Sequence, residues 1–79
     1  MIAKILSIKG KVFEGEVLSA NLKTQTGEIT ILDNHRPLVT LLVQGEAILK
    51  NKNGKEERVL VNSGFLEMSK GNVLTLLIE

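Results

Sequence analysis

The side chains able to do chemistry are few, and the densest group is Asp33-Asn34-His35-Arg36-Pro37. It holds the sole Asp, the sole His, the sole Pro and one of the two Arg residues of the chain. A zinc or similar centre needs several His, Cys or carboxylate ligands converging, whereas His35 has only Asp33 nearby and there is no Cys. Ser7, Ser19, Ser63 and Ser69 could meet His35 in space, but none sits in the strained GxSxG elbow that activates a serine nucleophile. Glu14 and Glu16, two apart, share one face of an extended chain, and Glu56 and Glu57 are adjacent. Neither pair lies beside a pocket-forming sequence, so both read as solvated edges rather than as an acid and base. The Gly residues are dispersed at 10, 15, 27, 45, 54, 64 and 71, as turns require, and form no phosphate-cradling loop. Lys50, Lys52 and Lys55 flank Asn53-Gly54, but Glu56 and Glu57 follow at once, and only Phe13 and Phe65 could stack on bases. That argues against nucleic-acid binding. His35 is either an exposed turn imidazole bonded to backbone or a binding residue displayed on a loop of a rigid scaffold.

The elements that hold these residues read as strands and turns throughout. Ile2 to Ile8 alternates, and Lys9-Gly10 ends it; Lys11 to Phe13 is a short strand, with a break at Glu14-Gly15-Glu16. Val17 to Thr24 follows, with Leu18, Ala20 and Leu22 on one side. Glu28 to Leu32 alternates like a strand with one buried face, and Leu38 to Val43 is an apolar run rich in β-branched residues. Pro37 bars Arg36 from helix, so the group between these two strands is displayed at the end of a sheet. Leu32 is placed in the core, and Leu32→Asp is expected to unfold the domain by burying an unpaired charge. Glu46 to Lys52 and Glu56 to Val61 form a hairpin through Asn53-Gly54, expected as a type I′ turn with both residues at positive φ. Phe65 to Met68 and Val73 to Ile78 complete the set. The expectation is one all-β domain over residues 1–79, an antiparallel sandwich or flattened barrel of about nine to ten short strands.

Size and composition limit what such a domain can do. A chain of 79 residues buries only about 60 to 65% of its unfolded surface, and this one has no disulfide to compensate. That fits a reducing compartment or a partner that supplies burial. The core is aliphatic, with no Trp or Tyr and two Phe. A net charge of +1 with mixed signs gives no long-range field for nucleic acid or an anionic membrane. No apolar run approaches the ~20 residues of a membrane span, and the first residues lack the apolar core of a signal peptide. The chain is therefore expected to be soluble and not exported by its own sequence.

Val12-Phe13-Glu14-Gly15-Glu16-Val17, Gly27-Glu28-Ile29-Thr30-Ile31-Leu32, His35-x-Pro37-Leu38-Val39-Thr40, Gly45-Glu46, Ser63-Gly64-Phe65-Leu66-Glu67 and Asn72-Val73-Leu74-Thr75 resemble, in order and spacing, the epsilon subunits of F-type ATP synthases. The resemblance covers essentially the whole chain. Departures exist: Lys23 replaces a usual Pro, Asp33-Asn34 replaces Pro-Gly, Arg36 replaces a common Ala, and Ser63 replaces the first Gly of GGF. The resemblance implies a non-catalytic β-sandwich on the central stalk, clasped by the gamma subunit and resting on the ring of c subunits, peripheral to the cytoplasmic face of a bacterial inner membrane. It implies ring contacts for Glu28 and His35 and gamma contacts for Ser7 and Thr40. No cofactor or metal is implied. The family usually continues into a C-terminal helical hairpin that can inhibit hydrolysis and in some members binds ATP. This sequence stops at Glu79, just after its last strand, so coupling without that brake, and without an ATP site, is the expectation. A free-standing β-barrel module binding a peptide or RNA on its sheet face is the alternative.

Overall fold

The computed structural model describes residues 1–79. Nine strands follow one another with no helix: β1 (Ile2–Ser7), β2 (Gly10–Glu16), β3 (Ser19–Thr24), β4 (Gly27–Leu32), β5 (Leu38–Leu42), β6 (Gly45–Lys50), β7 (Glu56–Val61), β8 (Gly64–Met68) and β9 (Val73–Ile78). They form one curled sheet with two layers, a five-stranded one ordered β2-β1-β9-β8-β5 and a four-stranded one ordered β4-β3-β6-β7. The layers join at one corner, where Thr24 pairs with Leu42 and the flanking amides of Gln25 and Val43 donate to the carbonyls of Leu41 and Lys23. A second crossing is the Val17-Leu18 link. Val17 N–H bonds to Met1 O in the first layer, and Leu18 N–H bonds to Lys50 O in the second.

Alternation along each strand sends one set of side chains between the layers. From the five-stranded layer come Ala3, Ile5, Leu42, Leu66, Met68, Leu74 and Leu76; from the other come Ala20, Leu22, Ile31, Ala47, Leu49 and Val61. Together with Met1 and Val17 they make one buried aliphatic cluster, and no buried side-chain nitrogen or oxygen lacks a partner. Gly64 is required by close approach: a Cβ there would stand 2.2 Å from the backbone oxygen of Leu77.

Several expectations change. The sheet is not wholly antiparallel, because β1 and β9 pair in parallel, Ile2 with Val73 through Ser7 with Ile78. Alternation fixes which face a residue takes but says nothing of which strand lies beside it. Gly15 does not break β2; it pairs with Ala3, and the irregularity falls at Val12, the residue left over between Phe13 opposite Ile5 and Lys11 opposite Leu6. Leu18 does not join Ala20 and Leu22 in the core, since it lies in the crossing and is half exposed. Leu32 is 59% exposed, because parity along β4 puts it with Glu28 and Thr30 while Ile31 is fully buried. The hairpin after β6 is present, but only Gly54 has positive φ. Asn51 Oδ1 accepts from the amides of Asn53 and Lys55, and Gly54 N–H donates to Asn51 O. This longer, side-chain-clamped loop takes the place of a two-residue type I′ turn.

Candidate functional site

The outward face of the five-stranded layer carries an unbroken apolar row. Leu41 lies opposite Phe65, Phe65 opposite Leu77, and Leu77 opposite Leu6. At about 4.8 Å per strand the row is about 14 Å across. Leu41, Phe65 and Leu77 are 40%, 55% and 51% exposed. Val39 and Val43 continue it along β5 and past its end, and Ile8 stands almost fully exposed in the turn after β1. Beside the row a depression of about 480 Å³, floored by Gly64, is walled by Leu41, Val43, Phe65, Leu77 and Ile78. A contiguous apolar patch on an outer face is the kind of surface that marks interaction sites, unlike scattered single apolar residues.

The outward face of the four-stranded layer is built in the opposite way. Lys23 Nζ lies 3.3 Å from Glu28, Arg58 reaches Glu46 at 3.0 Å and Glu56 at 2.9 Å, and Lys50 lies 3.7 Å from Glu56. Asn21 Nδ2 donates to Thr30 Oγ1. The Asn21 amide, and after it Lys23, hold the Glu28 carboxyl below its ordinary value, while Glu56 and then Glu46 raise the Arg58 guanidinium. Leu32 and Leu60 are isolated apolar residues on this charged ladder.

The residues singled out from the sequence are spread over the molecule. Glu28 is the second residue of β4 and His35 follows its other end, with roughly 13 Å of strand between Glu28 and Leu32 alone. His35 donates from Nδ1 to the carbonyl of Arg36 at 2.8 Å. Next to it, Asp33 accepts from the Met1 amine and from Asn72 Nδ2, and Asn34 N–H donates to Asn72 Oδ1. Asn34 and Asn72 both have φ of 62°, so two left-handed turns are stitched together at this end. The amine and then Asn72 hold the Asp33 carboxyl below its ordinary value. Ser7 ends β1 at the opposite pole, where its hydroxyl donates to Gly10 O and accepts from Lys9 N–H. Thr40 faces inward on β5, half buried and opposite Leu66. Glu14 is paired with Lys11 at 2.7 Å, which lowers its carboxyl. No three His, Cys, Asp or Glu residues converge as metal ligands would.

The structure thus gathers none of the sequence-selected residues into one site. It assembles a row that residue-by-residue reading passed over. Its signal lay in Leu38 to Val43 and Val73 to Ile78, where both parities are apolar, the pattern of strands covered on both faces.

Comparisons with known proteins agree on one family. The model of the ATP synthase delta/epsilon chain, β-sandwich domain, matches residues 1–79. The ATP synthase epsilon chain of Acinetobacter baylyi is 38% identical over 79 residues, spanning all of this chain and 56% of the relative. That of Endomicrobium trichonymphae is 39% identical over 70 residues, 89% of this chain and 50% of the relative. The chain spans about half the length of the curated relatives it matches. Among solved structures, a chain of the Euglena gracilis mitochondrial ATP synthase superposes with a TM-score of 0.91 at 20% identity, covering 99% of this chain and 49% of that one. A chain in the central stalk and c-ring structure of the Tetrahymena thermophila mitochondrial ATP synthase gives 0.79 at 15% identity, covering 99% and 62%. At these identities the structural matches establish the shared fold.

Proposed function

This chain belongs to the ATP synthase delta/epsilon-chain β-sandwich family, and from that premise we propose that it is a non-catalytic part of the central stalk. In this reading it couples ion translocation to ATP synthesis and hydrolysis by holding the gamma subunit to the ring of c subunits. It works at the cytoplasmic face of a bacterial inner membrane, reaches the bilayer only through the complex, and needs no cofactor. The observation that carries the reading is the apolar row Leu41–Phe65–Leu77–Leu6, set on a layer stiffened by paired strands and a buried core. Gamma covers this face. Full burial of one large aliphatic or aromatic side chain is worth about 1.5 to 3 kcal/mol, so the half-exposed Leu41, Phe65 and Leu77, with the less exposed Leu6 beside them, supply a hot spot without any ion pair. Ser7 lies toward the same pole as Leu6, and Thr40 adjoins Leu41 in the chain. Of the gamma contacts, the apolar neighbours therefore carry more of the binding than the two hydroxyls.

Glu28 and His35 remain the proposed ring contacts. Because they stand at opposite ends of β4, a ring beneath one end of the sandwich reaches one of them, and only a ring along the β4 edge reaches both.

The test is assembly. Phe65→Ser with Leu77→Ser is expected to leave the strand signal in circular dichroism unchanged and to abolish recovery of gamma and c subunits with the tagged chain from membranes. Recovery equal to that of the parent chain would sink the proposal. Single cysteines at 28 and at 35, paired with a cysteine in the polar loop of the c subunit, locate the ring by which of the two forms the cross-link.

A further inference from the structure

We infer that Asn53 is a site of spontaneous deamidation in the folded protein, converting the tip of the β6–β7 hairpin into an aspartate or isoaspartate. The reaction needs three things at one asparagine: a following residue with an unhindered amide nitrogen, a side-chain amide not held by other groups, and access to water. Comparing the asparagines one by one leaves a single match. Asn21 lies within β3 with its amide donating to Thr30. Asn34 is followed by His35, and its amide donates to Asp33. Asn51 is followed by Lys52 and clamps two backbone amides through its side-chain oxygen. Asn62 is followed by Ser63, whose Cβ crowds the nitrogen. Asn72 precedes the β-branched Val73, and its side chain bonds to both Asp33 and Asn34. Asn53 is exposed, its side chain makes no hydrogen bond within the chain, and Gly54 follows it with open space where a Cβ would be.

The chemistry balances without any further reagent. The Gly54 nitrogen loses its proton and attacks Asn53 Cγ; the Cγ–Nδ2 bond breaks and ammonia leaves, closing a five-membered imide. Water then opens either carbonyl, giving aspartate or, with one extra backbone methylene, isoaspartate. Two features of the tip act in opposite directions. Gly54 N–H donates to Asn51 O at 3.0 Å, a bond that must open first. Lys52 and Lys55 flank the site, make no ion pair, and favour the transient amide anion. The product takes the formal charge of the chain from +1 to 0. The isoaspartate form also lengthens the backbone inside the span that Asn51 clamps, and is expected to disturb the two bonds from the amides of Asn53 and Lys55.

The folded chain, aged in mildly alkaline buffer and mapped by peptide mass spectrometry with isoaspartyl labelling, is expected to show Asn53 as the leading site. Asn53→Gln is expected to remove most of the ammonia released. A second arm ages the same chain unfolded in denaturant. If Asn53 converts only in the unfolded chain, or if another asparagine leads in the folded one, the inference is overturned.

Discussion

The two outward faces of this small sandwich are built on the same pleat and differ in how they meet water. On the four-stranded layer, every long charged side chain from β3, β4, β6 and β7 that faces out finds a neighbour of opposite sign one strand away. On the five-stranded layer, β5, β8, β9 and β1 place leucine, phenylalanine, leucine and leucine side by side. The first face pairs its charges within itself. The second presents contiguous apolar surface to water. In a domain of 79 residues that marks where binding energy is kept in reserve.

The largest expected effect breaks the layer beneath the apolar row rather than the row itself. Leu66 is fully buried between the layers, and Leu66→Ala should lower unfolding free energy by about 2 to 5 kcal/mol in urea melts. Leu32→Asp, one strand end away from the core in the other layer, should leave the protein folded, because that side chain already faces water. Next comes Gly64→Ala, where the added methyl meets the Leu77 carbonyl. The displacement of β9 against β8 should cost a few kcal/mol of stability, about the size of an overpacking change, and distort the depression at once. Third, if the proposed gamma contact holds, Leu77→Ser should weaken binding to gamma by about 2 kcal/mol or more, as hot-spot truncations do, with little change in the melt. Isothermal titration against purified gamma separates the two readouts.

Smaller effects belong to the charged face and the stitched end. Arg58→Ala removes two exposed ion pairs and is expected to shift the urea midpoint less than any substitution above, with a shift that shrinks further in high salt. Asp33, Glu28 and Glu14 all have folded-state carboxyls held below their ordinary values. Their stabilisation is therefore complete above the ordinary carboxylate range and is lost as pH falls through their lowered folded values. An acid titration of stability for Asp33→Asn should show a shallower decline over that window than the parent; an identical slope would remove the Asp33 stitch from the account.

Much of the architecture was legible from residue spacing. Asn53-Gly54, the Pro37 loop and the dispersed glycines marked turns, and period-two alternation identified the strands. Core membership was read less well: parity along β4 puts Ile31 inside and Leu32 outside, whereas the expectation from sequence has Leu32 in the core and Leu18 beside Ala20 and Leu22. The candidate site was less legible. The family resemblance pointed to Glu28, His35, Ser7 and Thr40, which the topology distributes to opposite poles and opposite faces. The apolar row was written in β1, β5, β8 and β9, far apart in sequence, and becomes a row only through the antiparallel pairings of β8 and the parallel pairing of β1 with β9.

By itself the sequence determined the strands, the turns and the aliphatic interior, because backbone preference and side-chain alternation act over a few neighbouring residues; the family followed from the ordered motifs the chain shares with its relatives. Only the tertiary structure decided which strands lie together, and with that the separation of Glu28 from His35 and the joining of Leu41, Phe65, Leu77 and Leu6. Register across a sheet is set by long-range hydrogen bonding and burial, and no local window of residues contains either.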